Sequence, residues 1–402
     1  MALIDTTLGL ILACNADPAL RPLTGLRAKA AIPFGGTYRI IDFTLANCLR
    51  SGLRRMLVLT YANSYSLQKH LRDGWSIFNP ELGEFVTAIP PPIGLNSGAV
   101  EPDVMPLLRQ IRTVLDRNRA EFFLLLTGEH IYRMDYAAML DFHTEQGADI
   151  TAAVIAASAS AGSRARPPLR ISDDRRILQV LPLAVQSDPA EDWSLMGIYV
   201  VSRRVLLELL DDSSKPGEGG LAEGLVSPWL QQGRVLAYEF GGRRGRVSPD
   251  QYWNDVGDLD AFYQANMDLL KTTPPIDLYQ SDWPIRTYQS QNPPARTVPG
   301  RSCNEGIFVN SIVGSGSVIA GGGVNHSVLF SRVHVDDAAI VENAILFMGV
   351  RIGEGARVTN CIVDKWVHIP PHTQIGVDTK TDAKRFAVSP GGVVVVPEGY
   401  QF

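Results

Sequence analysis

The chain has 402 residues, 45% of them hydrophobic and 20% charged, with 37 basic and 42 acidic side chains for a net charge of −5. That length suits about two domains with real cores, and the composition excludes a disordered chain. The acidic balance argues against a nucleic-acid surface, and no apolar run approaches the ~20 residues needed to cross a bilayer.

The start, Met1-Ala2-Leu3-Ile4-Asp5, lacks a basic segment, so no signal peptide and a cytoplasmic location are expected. Strand-like apolar runs follow at Leu8–Ala13, Met56–Thr60, Phe122–Thr127, Ile150–Ala156 and Met196–Val201. Helix-like stretches lie between them at Thr44–Ser51, Ser66–Gly74, Leu107–Arg119 and Tyr136–Gln146. Continuous apolar strands alternating with helices predict an α/β, Rossmann-like domain on a mostly parallel sheet, covered on both faces. Ligands of such folds bind beyond the carboxyl ends of the strands, which gives residues 13–21 and 127–130 their interest.

Prolines crowd residues 274–299, predicting a linker that packs across the surface through Trp283 and Tyr288. Then Asn310-Ser311-Ile312, His326-Ser327-Val328, Asn343-Ala344-Ile345 and Asn360-Cys361-Ile362 recur at 16, 17 and 17 residues. Within that period a six-residue beat (Ile312, Val318, Val324; Ile352, Val358; Ile369, Ile375) predicts a three-sided, left-handed parallel β-helix. The expected domains are 1–273, a linker at 274–300, and a β-helix at 301–402. The cysteines at 14, 48, 303 and 361 have no metal-ligand spacing, and read as reduced core thiols.

The block Arg27-Ala28-Lys29-Ala30-Ala31-Ile32-Pro33-Phe34-Gly35-Gly36-Thr37-Tyr38-Arg39-Ile40-Ile41-Asp42-Phe43 resembles the bacterial glucose-1-phosphate adenylyltransferase (ADP-glucose pyrophosphorylase) family. So do Leu45-Ala46-Asn47-Cys48, Met196-Gly197-Ile198-Tyr199-Val200, Tyr252-Trp253-Asn254-Asp255-Val256-Gly257 and Trp283-Pro284-Ile285-Arg286-Thr287-Tyr288. The resemblance implies an ATP- and glucose 1-phosphate-binding nucleotidyltransferase of glycogen synthesis, releasing pyrophosphate and ADP-glucose. It also implies Mg²⁺ held by carboxylates, cations on the phosphates, and a tetramer.

Several of the family's substrate positions differ. Its Gly-Gly-x-Gly-Thr-Arg-Leu loop falls on Cys14-Asn15-Ala16-Asp17-Pro18-Ala19-Leu20, so the triphosphate arginine is alanine and a proline removes one backbone donor. The base-contacting segment falls near Asp103-Val104-Met105-Pro106, and the sugar-phosphate lysine near Pro182-Leu183-Ala184. Pro167-Pro168 replace a Phe-Gly, and Leu195 a serine. The first metal carboxylate is Glu129 instead of aspartate; the second, Asp255, is kept, as is the phosphate-side Lys29. Mg²⁺ tolerates poor geometry badly, so the expected metal pair Glu129 and Asp255 belongs to an enzyme that is impaired.

The expectation is a regulatory-type subunit working beside a catalytic paralogue, or with itself in a tetramer, and answering a sugar-phosphate or nucleotide effector. The effector cations expected from the resemblance are Lys29, Arg39, Lys384 and Arg385; Leu26 and Pro33 replace a lysine and a histidine of other members. The alternative is an active adenylyltransferase using Lys29, Glu129, Asp255 and Mg²⁺. A hexapeptide-type acyltransferase with a base among His326, His334, His368 and His372 is weaker. The basic loop Gly241-Gly242-Arg243-Arg244-Gly245-Arg246 reads as a solvated hairpin tip.

Overall fold

The computed structural model describes residues 3–14, 18–61, 63–90, 104–156, 167–181, 193–212, 221–242 and 251–402. The N-terminal domain runs β1 (Thr7–Ala13), α1 (Ile40–Arg50), β2 (Arg55–Thr60), α2 (Tyr65–Trp75), β3 (Phe85–Ile89), α3 (Val104–Gln110), α4 (Arg112–Arg117), β4 (Phe122–Thr127) and β5 (Ile131–Tyr132). It continues with α5 (Tyr136–Glu145), β6 (Ile150–Ala156), β7 (Pro168–Ile171), β8 (Ile177–Val180), β9 (Trp193–Ser202), α6 (Arg203–Asp211), β10 (Val235–Glu239), β11 (Trp253–Asn254) and α7 (Leu259–Met267).

The main sheet is ordered β8-β7-β9-β4-β1-β2-β3, with β6 beside β9 and β10 beside β6. Its centre is parallel: β1 pairs with β2 and β4, and β2 with β3. Strand β9 then enters antiparallel to both β4 and β6. Alternation along β1 decides which core each residue joins. Leu8, Leu10 and Leu12 face one buried cluster, and Ile11 and Ala13 the other. Each fully buried leucine or isoleucine contributes about 1.5–3 kcal/mol, which holds the carboxyl ends of β1 and β4 side by side under the site.

The C-terminal region is a three-sided parallel β-helix. One side stacks 296–298, 318–320, 334–335, 351–352 and 368–369. A second stacks 307–309, 323–325, 340–342 and 357–359. The inward column Val324, Val341, Val358 and Ile375 is buried, whereas Phe308, which has no coil before it, is 47% exposed. The repeat read from the sequence marks the corners: Asn310, His326, Asn343 and Asn360 all have positive φ, at 48°, 44°, 49° and 46°. Asparagine is enriched in that left-handed region because its short polar chain tolerates it. The strand 296–298 already pairs in parallel with 318–320, so the solenoid begins inside the segment expected to be linker.

The two regions share a single core cluster. Phe34 packs edge-on against Phe262, Phe262 against Phe347, and Phe347 against Phe330. Tyr263 donates its hydroxyl to the Asn343 carbonyl at 2.7 Å, and Asp260 accepts from the Gly391 amide at 2.9 Å. Trp283 is buried and donates to Asn47 Oδ1 at 3.0 Å, but Tyr288, expected to be buried, is 46% exposed. Cys303 also departs from the core-thiol expectation: it is exposed, while Cys14, Cys48 and Cys361 are buried.

Candidate functional site

Beyond β1, Cys14 is buried, and Pro18–Leu20 form a single 3-10 turn leading into the helical turn Arg21–Thr24. Residues 15–17, the centre of the expected phosphate loop, lie outside the described residues, as do Asp103, Pro182-Leu183-Ala184 and the basic residues 243–246. Where the base-contacting segment would fall, Val104 and Met105 are buried at the start of α3. Leu195 is buried in β9, just before a register shift. The shift is completed by Gly197 at φ 75°, where a Cβ would come within 2.8 Å of Thr127 Oγ1. Only a glycine lets β9 pass this close to the end of β4.

Past β4, Thr127 Oγ1 lies 2.9 Å from His130 Nδ1, and the His130 ring packs edge-on to Trp253 at 4.9 Å. His130 thus supports the turn. The antiparallel register of β5 and β11, Tyr132 with Trp253 and Ile131 with Asn254, leads Asp255 toward Glu129-His130. Both carboxylates, Glu129 and Asp255, are 1% exposed. Val256, the next residue, has φ 40°. A β-branched residue there is a genuine outlier that its surroundings must hold. Here the Asn254 side chain does so, accepting from the Val256 amide at 2.8 Å while donating to Tyr252 Oη at 2.9 Å.

Two buried carboxylates flanking one ladder suit a hard cation with oxygen ligands such as Mg²⁺, whose remaining ligands would come from substrate phosphates and water. Among the described residues no group of three or more His, Cys, Asp or Glu forms a fuller metal site. Lys29, the expected phosphate cation, is buried in the short turn Lys29–Ala31.

A second polar cluster lies where the N-terminal domain meets the β-helix. Arg27, 2% exposed, donates to Asp364 at 2.9 Å, to the Leu23 carbonyl at 3.3 Å, and to Glu398. Arg39 donates to the Ser66 carbonyl and hydroxyl at 2.8 and 2.9 Å. Burial is the main cause that lowers Arg39 to about 10, with Arg27 adding repulsion and Asp42 opposing it. Burial also brings Lys365 down to about 7; Arg27 and Arg39 push the same way, and Asp364 and Glu398 oppose. Three cations and the carboxylates Asp364, Glu398, Asp42 and Asp73 therefore act on one another around this seam.

The sequence reading named Arg39 among its cations but not Arg27 or Lys365, which the structure places beside it. Only the pairing of distant segments reveals them, although Arg27 does head the recognised block. The other two expected effector cations are placed differently. Lys384 is exposed and acts on Asp378. Arg385 lies over the rings of Phe386, Tyr400 and Phe402 at 4.8, 5.6 and 5.2 Å. The histidines considered as acyl-transfer bases are solenoid features: His326 Nδ1 sits 2.8 Å from Asn343 Oδ1 at a corner, and His334 pairs with Asp336 at 3.0 Å.

Residues 8–272 match the family model described as nucleotidyl transferase, and residues 293–396 match that described as GlmU-like, C-terminal hexapeptide. A protein of Vibrio parahaemolyticus called glucose-1-phosphate adenylyltransferase 2 is 49% identical over 99% of this chain and 100% of its own length. The protein of that name in Vibrio cholerae is 47% identical over 99% of both chains. A glucose-1-phosphate adenylyltransferase of Yersinia pseudotuberculosis is 37% identical over 98% of this chain and 94% of its own.

Proposed function

The chain belongs to the glucose-1-phosphate adenylyltransferase family, and from that premise we propose that it serves as an effector-binding subunit whose own adenylyl transfer is slow. The observation that carries this reading is the end of β1, where the turn Pro18–Leu20 brings a proline and an alanine to the places of the family's threonine and triphosphate-gripping arginine. Each lost charge-assisted contact weakens binding by about 1.5–3 kcal/mol, and one lost transition-state donor slows reaction by about a hundredfold or more.

The subunit works in the cytoplasm beside a catalytic chain of the same family, or in a tetramer with its own copies. Arg27, Arg39 and Lys365 supply the positive charge that a sugar-phosphate or nucleotide effector needs. The test measures ADP-glucose formation from ATP and glucose 1-phosphate, by the chain alone and mixed with a relative whose glycine loop is intact. Little activity alone, with a changed effector response in the mixture, is expected. Full activity alone, or no influence on the partner, refutes the reading.

A second reading, a working adenylyltransferase, is favoured by one observation: the strained Val256 turn that carries Asp255 toward Glu129. There Glu129 and Asp255 would hold Mg²⁺, which neutralises phosphate charge when bound. Lys29 would balance the phosphates while the sugar phosphate attacks the α-phosphorus in line. Asp255→Asn would then abolish product formation by the chain alone.

A further inference from the structure

The chain's last residues close over the seam cluster. After the strand Val394–Val396, Glu398 reaches back to Arg27, and Tyr400 accepts from Arg385 Nε at 3.1 Å. Tyr400 and Phe402 pack on each other at 4.9 Å, and Phe386 joins them at 4.8 Å from Tyr400. The two acidic partners of Arg27 are not equivalent. The Asp364 side chain is 3% exposed and that carboxylate also accepts from the Lys365 amide at 2.7 Å, so it is built into the solenoid. The Glu398 side chain is 31% exposed and sits on a terminal segment without regular structure.

Buried cations need a counter-charge. With Glu398 withdrawn, Asp364 would be the carboxylate left to Arg27 and Lys365, while Arg39 would keep Asp42 and Asp73. We propose that residues 397–402 form an autoinhibitory latch in which the Glu398 carboxylate occupies the cationic cluster, and that a phosphate-bearing ligand displaces it. Displacement pulls Tyr400 and Phe402 from Arg385, whose guanidinium then joins the exposed positive surface. This inference rests on the effector-binding reading above, and specifies how that site is gated.

The test uses the full chain and inorganic phosphate, titrated by calorimetry at constant ionic strength, with hydrogen exchange followed in the 397–402 peptide. Removing a charge-assisted competitor should tighten phosphate binding in Glu398→Gln by about tenfold or more. Glu354→Gln, an exposed change elsewhere on the β-helix, should leave it unchanged. Saturating phosphate should speed exchange in the wild-type tail, and Lys365→Met should weaken binding. If phosphate binds the wild type and Lys365→Met weakens it, yet Glu398→Gln binds no tighter or the tail's exchange does not move, the latch is wrong and the effector site stands. If neither wild type nor Glu398→Gln binds phosphate, both fall.

Discussion

Replacing Asp42 should loosen the molecule where three segments meet. Asp42 is fully buried near the start of α1 and accepts from the Arg39 amide at 2.8 Å, Thr287 Oγ1 at 2.6 Å and Trp75 Nε1 at 2.9 Å, with His70 Nε2 at 2.6 Å. One carboxylate therefore joins α1, α2 and the proline-rich segment. Hydrogen bonds to a charged group contribute about 1.5–3 kcal/mol each, but bonds to one shared acceptor do not add. A single substitution that strands several buried donors belongs to the rare class above about 4 kcal/mol. Asp42→Ala should thus lose about 4–6 kcal/mol of stability, and Asp42→Asn less, since its amide keeps one acceptor. Denaturant unfolding followed by tryptophan fluorescence, with Thr287→Val as the second arm of a double-mutant cycle, measures both terms. The Asp42 and Thr287 effects should be strongly sub-additive. A loss under about 1 kcal/mol in Asp42→Ala, or full additivity, would refute the hub.

Other outcomes follow from single groups. Burial holds the His143 imidazole down to about 4, in contact with Thr151 Oγ1 and Ser202 Oγ at 2.8 and 3.1 Å. The unfolded chain, titrating near 6.5, therefore takes up that proton first as pH falls. Stability contributed by neutral His143 is full above pH 6.5 and drains away toward pH 4 by about 3 kcal/mol; His143→Gln should flatten that slope in unfolding measurements. Lys365, at about 7 against an ordinary 10.5, is a folding penalty below pH 7 that fades as pH rises toward 10.5. For the same reason sulfate, whose charge is fixed near neutrality, should bind the seam more weakly above pH 7, by up to about tenfold per pH unit. Lys365→Arg should remove the dependence. Gly376, at φ 77°, offers a Cβ only 1.6 Å from the Thr359 carbonyl oxygen of the neighbouring coil. Gly376→Ala should cost about 3 kcal/mol or more, read as a lower melting temperature.

The elements that were legible in the sequence are those whose burial writes a period into the chain. Buried through their centres, 122–127 and 150–156 appear as unbroken apolar runs, and the solenoid corners repeat because each coil needs a left-handed residue at one place. The short pairs β7–β8 and β5–β11 escaped, since two to four residues carry no period. The antiparallel entry of β9 escaped too, because its direction is decided by partners far away in sequence. The cationic seam was half legible. Arg39 sits in the recognised block, but Lys365 becomes a neighbour of Arg27 only through the coil that ends at Asp364. The contacts of Arg385 were not legible, because two of the three aromatic rings under its guanidinium lie in the last three residues.

The block from Arg27 to Phe43 says less about catalysis than its length suggests. Arg27 holds Asp364, Phe34 packs on Phe262, a Cβ at Gly36 would come within 2.8 Å of Ile312 Cγ2, and Asp42 binds Thr287. A chain relieved of adenylyl transfer would still need every one of these contacts to join its two regions. The buried carboxylates Glu129 and Asp255 raise a separate question, whether they hold a metal. If they still bind metal, Mg²⁺ should stabilise the wild type against heat even without substrate, by about 2.7 kcal/mol at a hundred times the dissociation constant. Asp255→Asn should then lose the Mg²⁺ response. If Mg²⁺ leaves the wild-type melting temperature unmoved, the pair has no metal role, and the strained turn at Val256 is retained for packing alone.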